Sequence, residues 1–494
     1  MTVDLIPSRA LLADVTVSVA PLEEVRNART AGVAVGIGKD VPDVVPLTRA
    51  RLTEWGFTGA VGQTLVLPRE DGIVVVTGVG DDPTPAALRD AAAAFARGVG
   101  RDDVLVTDLA SVGADPGAAA QAVVEGILLG RYRYDAFKTN PDAVPVREIV
   151  LLVADASADA ARQGAERGLV LARAASLSRD LASAPADYLD APGLADIAVR
   201  LAGEHGLEVT VHDKAALVAM GCGGLLGVNA GSVVEPRMIV LRYVPAGEPT
   251  GHLGFVGKGI MYDSGGISLK PSNAMHAAMK MDMSGAGAVL AAMTALAALE
   301  VPTAVSAYLA CTDNMPSGSA TKLGDVLVSR SGRTIEVVNT DAEGRLVMAD
   351  AIALAKEDGV EAIVDIATLT GACLAALGTL TAGVMGNDEG MLALVEASAA
   401  TTDEQVWRLP LDRRYRKQLE SEVADIKNLG GEFAGAITAA LFLAEWVEGT
   451  PWAHLDIAGP MRSDVDDAWR TKGATGFGAR LLVDVAAGFS SGWR

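Results

Sequence analysis

LGFVGKGIMYDSGG, residues 253–266, begins as an apolar run and breaks into glycine-rich turns that carry Lys258 and Asp263. SGAGAVLAAMTALAAL follows at 284–299, with the length and alanine content of a helix, and TAVSAYL at 303–309 is again a short apolar run. Strand, turn, helix and strand in that order are the signature of an α/β sheet with mostly parallel strands.

The same alternation extends outward. Strands are expected at 207–212, 237–244, 334–339 and 362–367, with helices at 346–357 and 434–446. Upstream lie strands at 15–20, 33–37, 73–78, 104–108 and 149–154, and helices at 85–99 and 118–129. A long helical pattern over 158–183 runs into Pro185, where a helix must end, so a domain boundary is placed near it. The fold expected is α/β in two domains, 1–178 and 179–494, each with a mostly parallel or mixed sheet flanked by helices. The larger C-terminal domain is expected to be the catalytic one, since the chemically unusual residues described below all fall within it.

A length of 494 residues, half of them hydrophobic and 21% charged, supports sizeable cores and excludes a disordered or fibrous chain. Lysine and arginine number 41 against 62 acids, a formal charge of −21, which disfavours binding to nucleic acid or to anionic membranes. Three cysteines (Cys222, Cys311, Cys373) form no disulfide framework and no zinc-binding pair; Cys311 and Cys373 lie on apolar segments and read as small core residues. Residues 366–385 are uncharged and long enough to span a bilayer, but their threonines and glycines read better as a buried strand, turn and helix. A basic, apolar leader is not seen at the N-terminus. The expectation is a cytoplasmic protein without a membrane anchor.

The chemically unusual residues gather between 258 and 345: Lys258, Asp263, Lys270, Asp282, Asp341, Glu343 and Arg345. Each acid stands at the end of an apolar strand or before a glycine turn, and open α/β sheets bind ligands at the carboxyl ends of their strands. Taken singly, any of these reads as a strand-end salt bridge. Taken together, four carboxylates among three cationic groups suit two metal ions, and Asp341 and Glu343, two residues apart, can face one site. Oxygen-rich ligation fits magnesium or manganese, and zinc also accepts carboxylate oxygen.

Other motifs fall away. DSGG at 263–266 resembles the nucleophile turn of chymotrypsin-like proteases, which belongs to an all-β fold. GVG at 78–80 lacks the third glycine of a dinucleotide loop, and Asp81 and Asp82 would repel a pyrophosphate. The five histidines have no ligand spacing, and His454 reads as a hydrogen-bonded core residue. RYRY at 131–134 reads as a packed surface or interface strand in preference to a nucleic-acid platform.

At these residues the chain resembles the leucyl aminopeptidase family (cytosol aminopeptidases, peptidase A). The resemblance is carried by NTDAEGRL at 339–346, VGKG at 256–259 with DSGGISLK at 263–270, KMDM at 280–283, ATLTGA at 367–372 and WAHLDIAG at 452–459. It is strong from about residue 180 onward and weak before it, where YRYD at 132–135 is the main echo. The segment from Lys270 to Asp282 is one residue longer than the family pattern.

The resemblance implies a macro-like N-terminal domain and a dinuclear metallo-exopeptidase that removes leucine-like residues from peptides. Two divalent ions, manganese or zinc, would be held by Lys258, Asp263, Asp282, Asp341 and Glu343. Lys270 would stabilise the oxyanion, and Arg345 would hold a bicarbonate that acts as general base. Met279, Thr368, Gly371, Ala458 and Met461 would line the pocket for the first side chain. A homohexamer acting on peptide substrates is implied as well. Two other classes stay open: a dinuclear hydrolase acting on another amide or a phosphate ester, and a scaffold or DNA-binding role, against which the charge counts.

Overall fold

The computed structural model describes residues 3–70, 72–141 and 144–492. The chain forms two compact units, one of Met1–Leu177 with Ser463–Thr475, the other of Ser178–Arg462 with Gly476–Arg494. A segment from late in the sequence therefore belongs to the first unit, and its Trp469 is buried in that unit's core.

The first unit holds a six-stranded sheet of Thr16–Pro21 (β1), Thr30–Val35 (β2), Thr64–Arg69 (β3), Gly72–Gly78 (β4), Val104–Thr107 (β5) and Glu148–Val153 (β6). Their order is β1-β6-β5-β2-β4-β3, and every pairing is parallel except that of β3 with β4. Sequence periodicity misses β3, an edge strand whose residues are mostly exposed or half-buried and which contains Pro68, a residue tolerated at edges. Helices Pro85–Gly98 and Pro116–Arg131 pack closely: a Cβ at Gly126 would lie 2.2 Å from the Arg89 carbonyl. The strand expected at 131–134 does not form. Arg131 ends its helix, and its guanidinium instead collects the carbonyls of Ala96, Val99, Gly100, Asp102 and Val144, the first of which close the neighbouring helix.

The second unit is built on eight strands. Glu208–His212 (β7), Arg237–Tyr243 (β8), His252–Asp263 (β9) and Ala304–Asn314 (β10) form one side, in the order β9-β10-β8-β7. Beyond β9 come Ala362–Ala367, Trp452–Asp456, Ala382–Gly386 and Val406–Arg408. The four central strands, β10, β9, Ala362–Ala367 and Trp452–Asp456, are mutually parallel, so their carboxyl ends share one edge. Helix Ser284–Leu296 packs on β9, β10 and Ala362–Ala367, while helices Gly344–Glu357 and Gly435–Val447 share a buried cluster with Trp452 and Ile363.

β9 runs well past the expected 253–256. Its interior glycines read as breakers in sequence, but Gly257 is there for close approach: a Cβ would lie 2.7 Å from Cα of Ala286 on the packed helix. The strand expected at 334–339 is shorter, Thr334–Glu336, and belongs to a separate three-stranded sheet with Val326–Val328 and Ile426–Lys427. Residues 366–385 form a strand end, a helix Gly371–Leu377 capped by the Thr370 side chain, and a strand Ala382–Gly386. No helix among the described residues is long and apolar enough to cross a membrane.

Candidate metal centre

Lys258 and Asp263 come from β9, and Asp263 ends it. The following turn needs glycine twice. Gly265 has φ +89 and a Cβ there would lie 2.9 Å from Asp341 Oδ1; Gly266 has φ +65 and a Cβ there would lie 2.7 Å from Asn314 Oδ1. Lys270 follows this turn, and its backbone N–H donates to the Ser264 carbonyl at 2.9 Å. Asp282 closes the short 3-10 turn Met279–Met281, just before helix Ser284–Leu296. Asp341 and Glu343 occupy the loop that enters helix Gly344–Glu357, and Arg345 lies in that helix's first turn.

These residues meet. Lys258 Nζ donates to Asp282 Oδ1 and to the Thr368 carbonyl, both at 2.9 Å, and lies 2.9 Å from Glu343 Oε1. It is also 2.8 Å from Asp282 Oδ2, at an angle too oblique for a hydrogen bond. Lys270 Nζ lies 2.7 Å from Asp263 Oδ2 and 2.5 Å from Asp341 Oδ1. Ligand oxygens of Asp263, Asp341 and Glu343 lie within 4.8 Å of one another, the spacing of a group that could hold a metal ion.

Burial and crowding shape the electrostatics. Burial, reinforced by the Asp263 carboxylate, pushes the Glu343 carboxyl up to about 8. Burial raises Asp282 to about 6 against the opposing pull of Lys258. Asp341 is raised too, by burial and then by Asp263. Burial alone would lower the Lys258 ammonium, yet Asp282, Glu343 and Asp263 together outweigh it and hold the pKa above the usual lysine value. Glu343 Oε2 is buried without a hydrogen-bond partner among the described residues, while Asp282 Oδ2 is met only by the Lys258 ion pair. Buried carboxylate oxygens of this kind call for a cation, so the donor set fits divalent metal ions.

Arg345 is buried, and Nη1 donates to the Asn428 carbonyl at 2.8 Å while Nε has no partner among the described residues. Burial lowers its pKa to about 10 against the pull of Glu343 and Asp456. Of the residues expected to line a pocket, Thr368, Gly371 and Ala458 belong to two segments held by one carboxylate, that of Asp456. Met279 is tied to the site by the turn ending at Asp282, whose N–H donates to its carbonyl at 3.3 Å. Met461 is buried and bonded to the Ile457 carbonyl.

Three supporting residues escape the sequence reading. Asn314, at the end of β10, donates to Asp263 Oδ1 and to the Thr340 carbonyl, both at 2.9 Å. Asn428 accepts from Val338 N and donates to the Asn339 and Ala342 carbonyls, folding the loop that carries Asp341. Asp456 is the third. A lone amide or acid at a strand end carries no pattern of its own; the signal was position, since all three close strands of this unit. His454 is a core residue, its Nδ1 2.6 Å from Oδ1 of Asp365, whose Oδ2 accepts from Trp452 Nε1. Cys311 and Cys373 are buried free thiols.

Residues 176–483 match the catalytic domain of the cytosol aminopeptidase family, and residues 48–141 match that family's N-terminal domain. A probable cytosol aminopeptidase of Chlorobaculum tepidum is 42% identical, the alignment spanning 88% of this chain and 91% of that one. A probable cytosol aminopeptidase of Streptomyces coelicolor is 41% identical over 93% of this chain and 95% of its own. Among solved structures, the bottromycin maturation enzyme BotP in complex with Mn superposes with a TM-score of 0.85 at 38% identity, covering 93% of this chain and 99% of that one.

Proposed function

The chain belongs to the cytosol aminopeptidase family, and is thereby a metal-dependent aminopeptidase; on that premise we propose that it releases leucine-like N-terminal residues from peptides at the Lys258–Glu343 cluster. The observation that carries the reading is the convergence of Lys258, Asp263, Asp282, Asp341 and Glu343 at the carboxyl edge of the parallel strands, with the buried Glu343 Oε2 left without a hydrogen-bond partner among the described residues.

Lys258, Asp263, Asp282 and Glu343 would hold one divalent ion, and Asp263, Asp341 and Glu343 would hold the other; manganese or zinc suits the donors. When bound, such a pair anchors a free α-amine, polarises the scissile carbonyl and lowers the pKa of water for attack on it. A lysine among ligands acts as a neutral amine, which the field of two dications favours. Lys270, paired with Asp263 and Asp341, would donate to the oxyanion that develops on the carbonyl oxygen. Arg345 would hold a bicarbonate, which would supply a general base. Thr368, Gly371 and Ala458, small or short side chains, with Met279 and Met461, admit a leucine-sized side chain.

The test is polarity of cleavage. Leucyl peptides with a free amine are hydrolysed and their N-acetyl counterparts are inert. Equal rates on both would point to a dinuclear hydrolase of another amide, the other enzyme class open to this residue set.

A further inference from the structure

Asp456 ends the strand Trp452–Asp456 and is fully buried. Its Oδ1 accepts from Leu369 N at 3.2 Å, Thr370 N at 3.3 Å and Ala458 N at 3.2 Å; its Oδ2 accepts from Thr370 Oγ1 at 2.6 Å. Thr370 Oγ1 in turn accepts from Cys373 N at 3.0 Å, capping helix Gly371–Leu377. One carboxylate thus holds two segments: that of Thr368 and Gly371, and that of Ala458.

The first segment is pinned from its other side as well. Thr368 Oγ1 donates to Asp282 Oδ1 at 2.6 Å, and the Thr368 carbonyl accepts from Lys258 at 2.9 Å. The loop is therefore suspended between the ionic cluster and Asp456, and the Asp456 bonds can be lost while those to the cluster remain. Charge-assisted bonds, of which that from Thr370 Oγ1 at 2.6 Å is the short one, fix backbone positions more firmly than packing of small residues does, and Gly371 and Ala458 supply little packing of their own.

We propose that Asp456 is a positioning residue that sets the width of the pocket for the substrate's first side chain, and thereby the preference for leucine-like over small residues. The inference rests on the pocket reading given above. Removing the negative charge leaves three backbone N–H groups and one hydroxyl competing for a weaker acceptor, so the two segments separate and contact with a branched side chain is lost. An alanine side chain, too short to reach both walls, feels the change less.

The experiment compares kcat and KM for leucinamide and alaninamide, with metal content, in the holoenzyme and in Asp456→Asn, Thr370→Val and Thr370→Ser. The wild type prefers leucinamide. In Asp456→Asn and Thr370→Val the ratio of kcat/KM values falls by about tenfold or more, a size typical of lost apolar contacts in a pocket, and the fall lies chiefly in KM for leucinamide. Thr370→Ser keeps the hydroxyl and restores the ratio, and metal content stays as in the wild type throughout. Equal losses on both amides with an unchanged ratio would make Asp456 a structural counter-ion of Arg345 and overturn the proposal. So would a wild type that cleaves both amides alike. If Asp456→Asn does not fold, Thr370→Val decides on the same ratio. A wild type that cleaves neither amide removes the leucine-pocket reading itself, and the role of Asp456 with it.

Discussion

Asn314 holds Asp263: its side-chain amide donates at 2.9 Å to Oδ1, the oxygen that also accepts from Gly265 N at 2.9 Å. The two residues end adjacent parallel strands and are register partners across the sheet. Asp263 Oδ1 is thus fixed by two donors, which leaves Oδ2 directed toward Lys270.

Asn314→Ala frees Asp263 to rotate and leaves the Thr340 carbonyl without its donor. Loss of a residue that orients a ligand costs about 10–100-fold in metal affinity. Titration of the stripped variant with manganese is expected to show that weakening, and activity returns when metal is raised. Unchanged affinity would reduce Asn314 to a bystander.

Lys270 and Arg345 separate on kinetics. Removal of one oxyanion donor costs about 10²–10³ in kcat, so Lys270→Ala loses activity by that order, and bicarbonate does not restore it. General-base assistance is worth about 10²–10⁴, so Arg345→Ala is slow and recovers in part with added bicarbonate. The wild type, depleted of bicarbonate, slows toward that variant. A wild type indifferent to bicarbonate, with an Arg345→Ala chain poor in metal, would make Arg345 a counter-ion.

His454 gives the pH dependence. Burial alone lowers its pKa, but the Asp365 carboxylate outweighs burial and raises it above the ordinary 6.5. A raised folded-state pKa stabilises the folded chain fully below the unfolded value; that contribution fades as pH rises through the folded value. The thermal midpoint of the wild type is therefore expected to drop, as pH rises above 6.5, more steeply than that of His454→Phe. Parallel slopes would mean that the imidazole stays neutral.

The sequence exposes residues that break a pattern. Asp263, Asp282 and Glu343 interrupt apolar runs, where an ionised group is costly, so their chemistry is legible without coordinates. The helix Ala158–Ser183 was plain for the opposite reason, a long run of helix formers ended by Pro185. β9 was cut short because a glycine demanded by a neighbouring helix looks the same as a glycine that ends a strand. Strands Ala382–Gly386 and Val406–Arg408 went unread, since five and three residues carry too few repeats to show a period. Asn314, Asn428 and Asp456 act on partners brought near only by the fold: Asp263 is 51 residues from Asn314, and Thr370 is 86 from Asp456. Trp469, which leaves the catalytic portion of the sequence for the first unit's core, belongs to the same class.

The central claim is that Asp263 is shared by two metal ions, and metal content per chain tests it most directly. The wild type, stripped and reloaded with manganese, is expected to bind two equivalents, with activity following occupancy. Asp263→Ala is expected to keep no more than one, and weakly, since a bridging carboxylate cannot be lost without damage to both sites. Asp341→Asn is expected to weaken one site only, with partial recovery in excess manganese. Two tightly bound ions in Asp263→Ala would contradict the account.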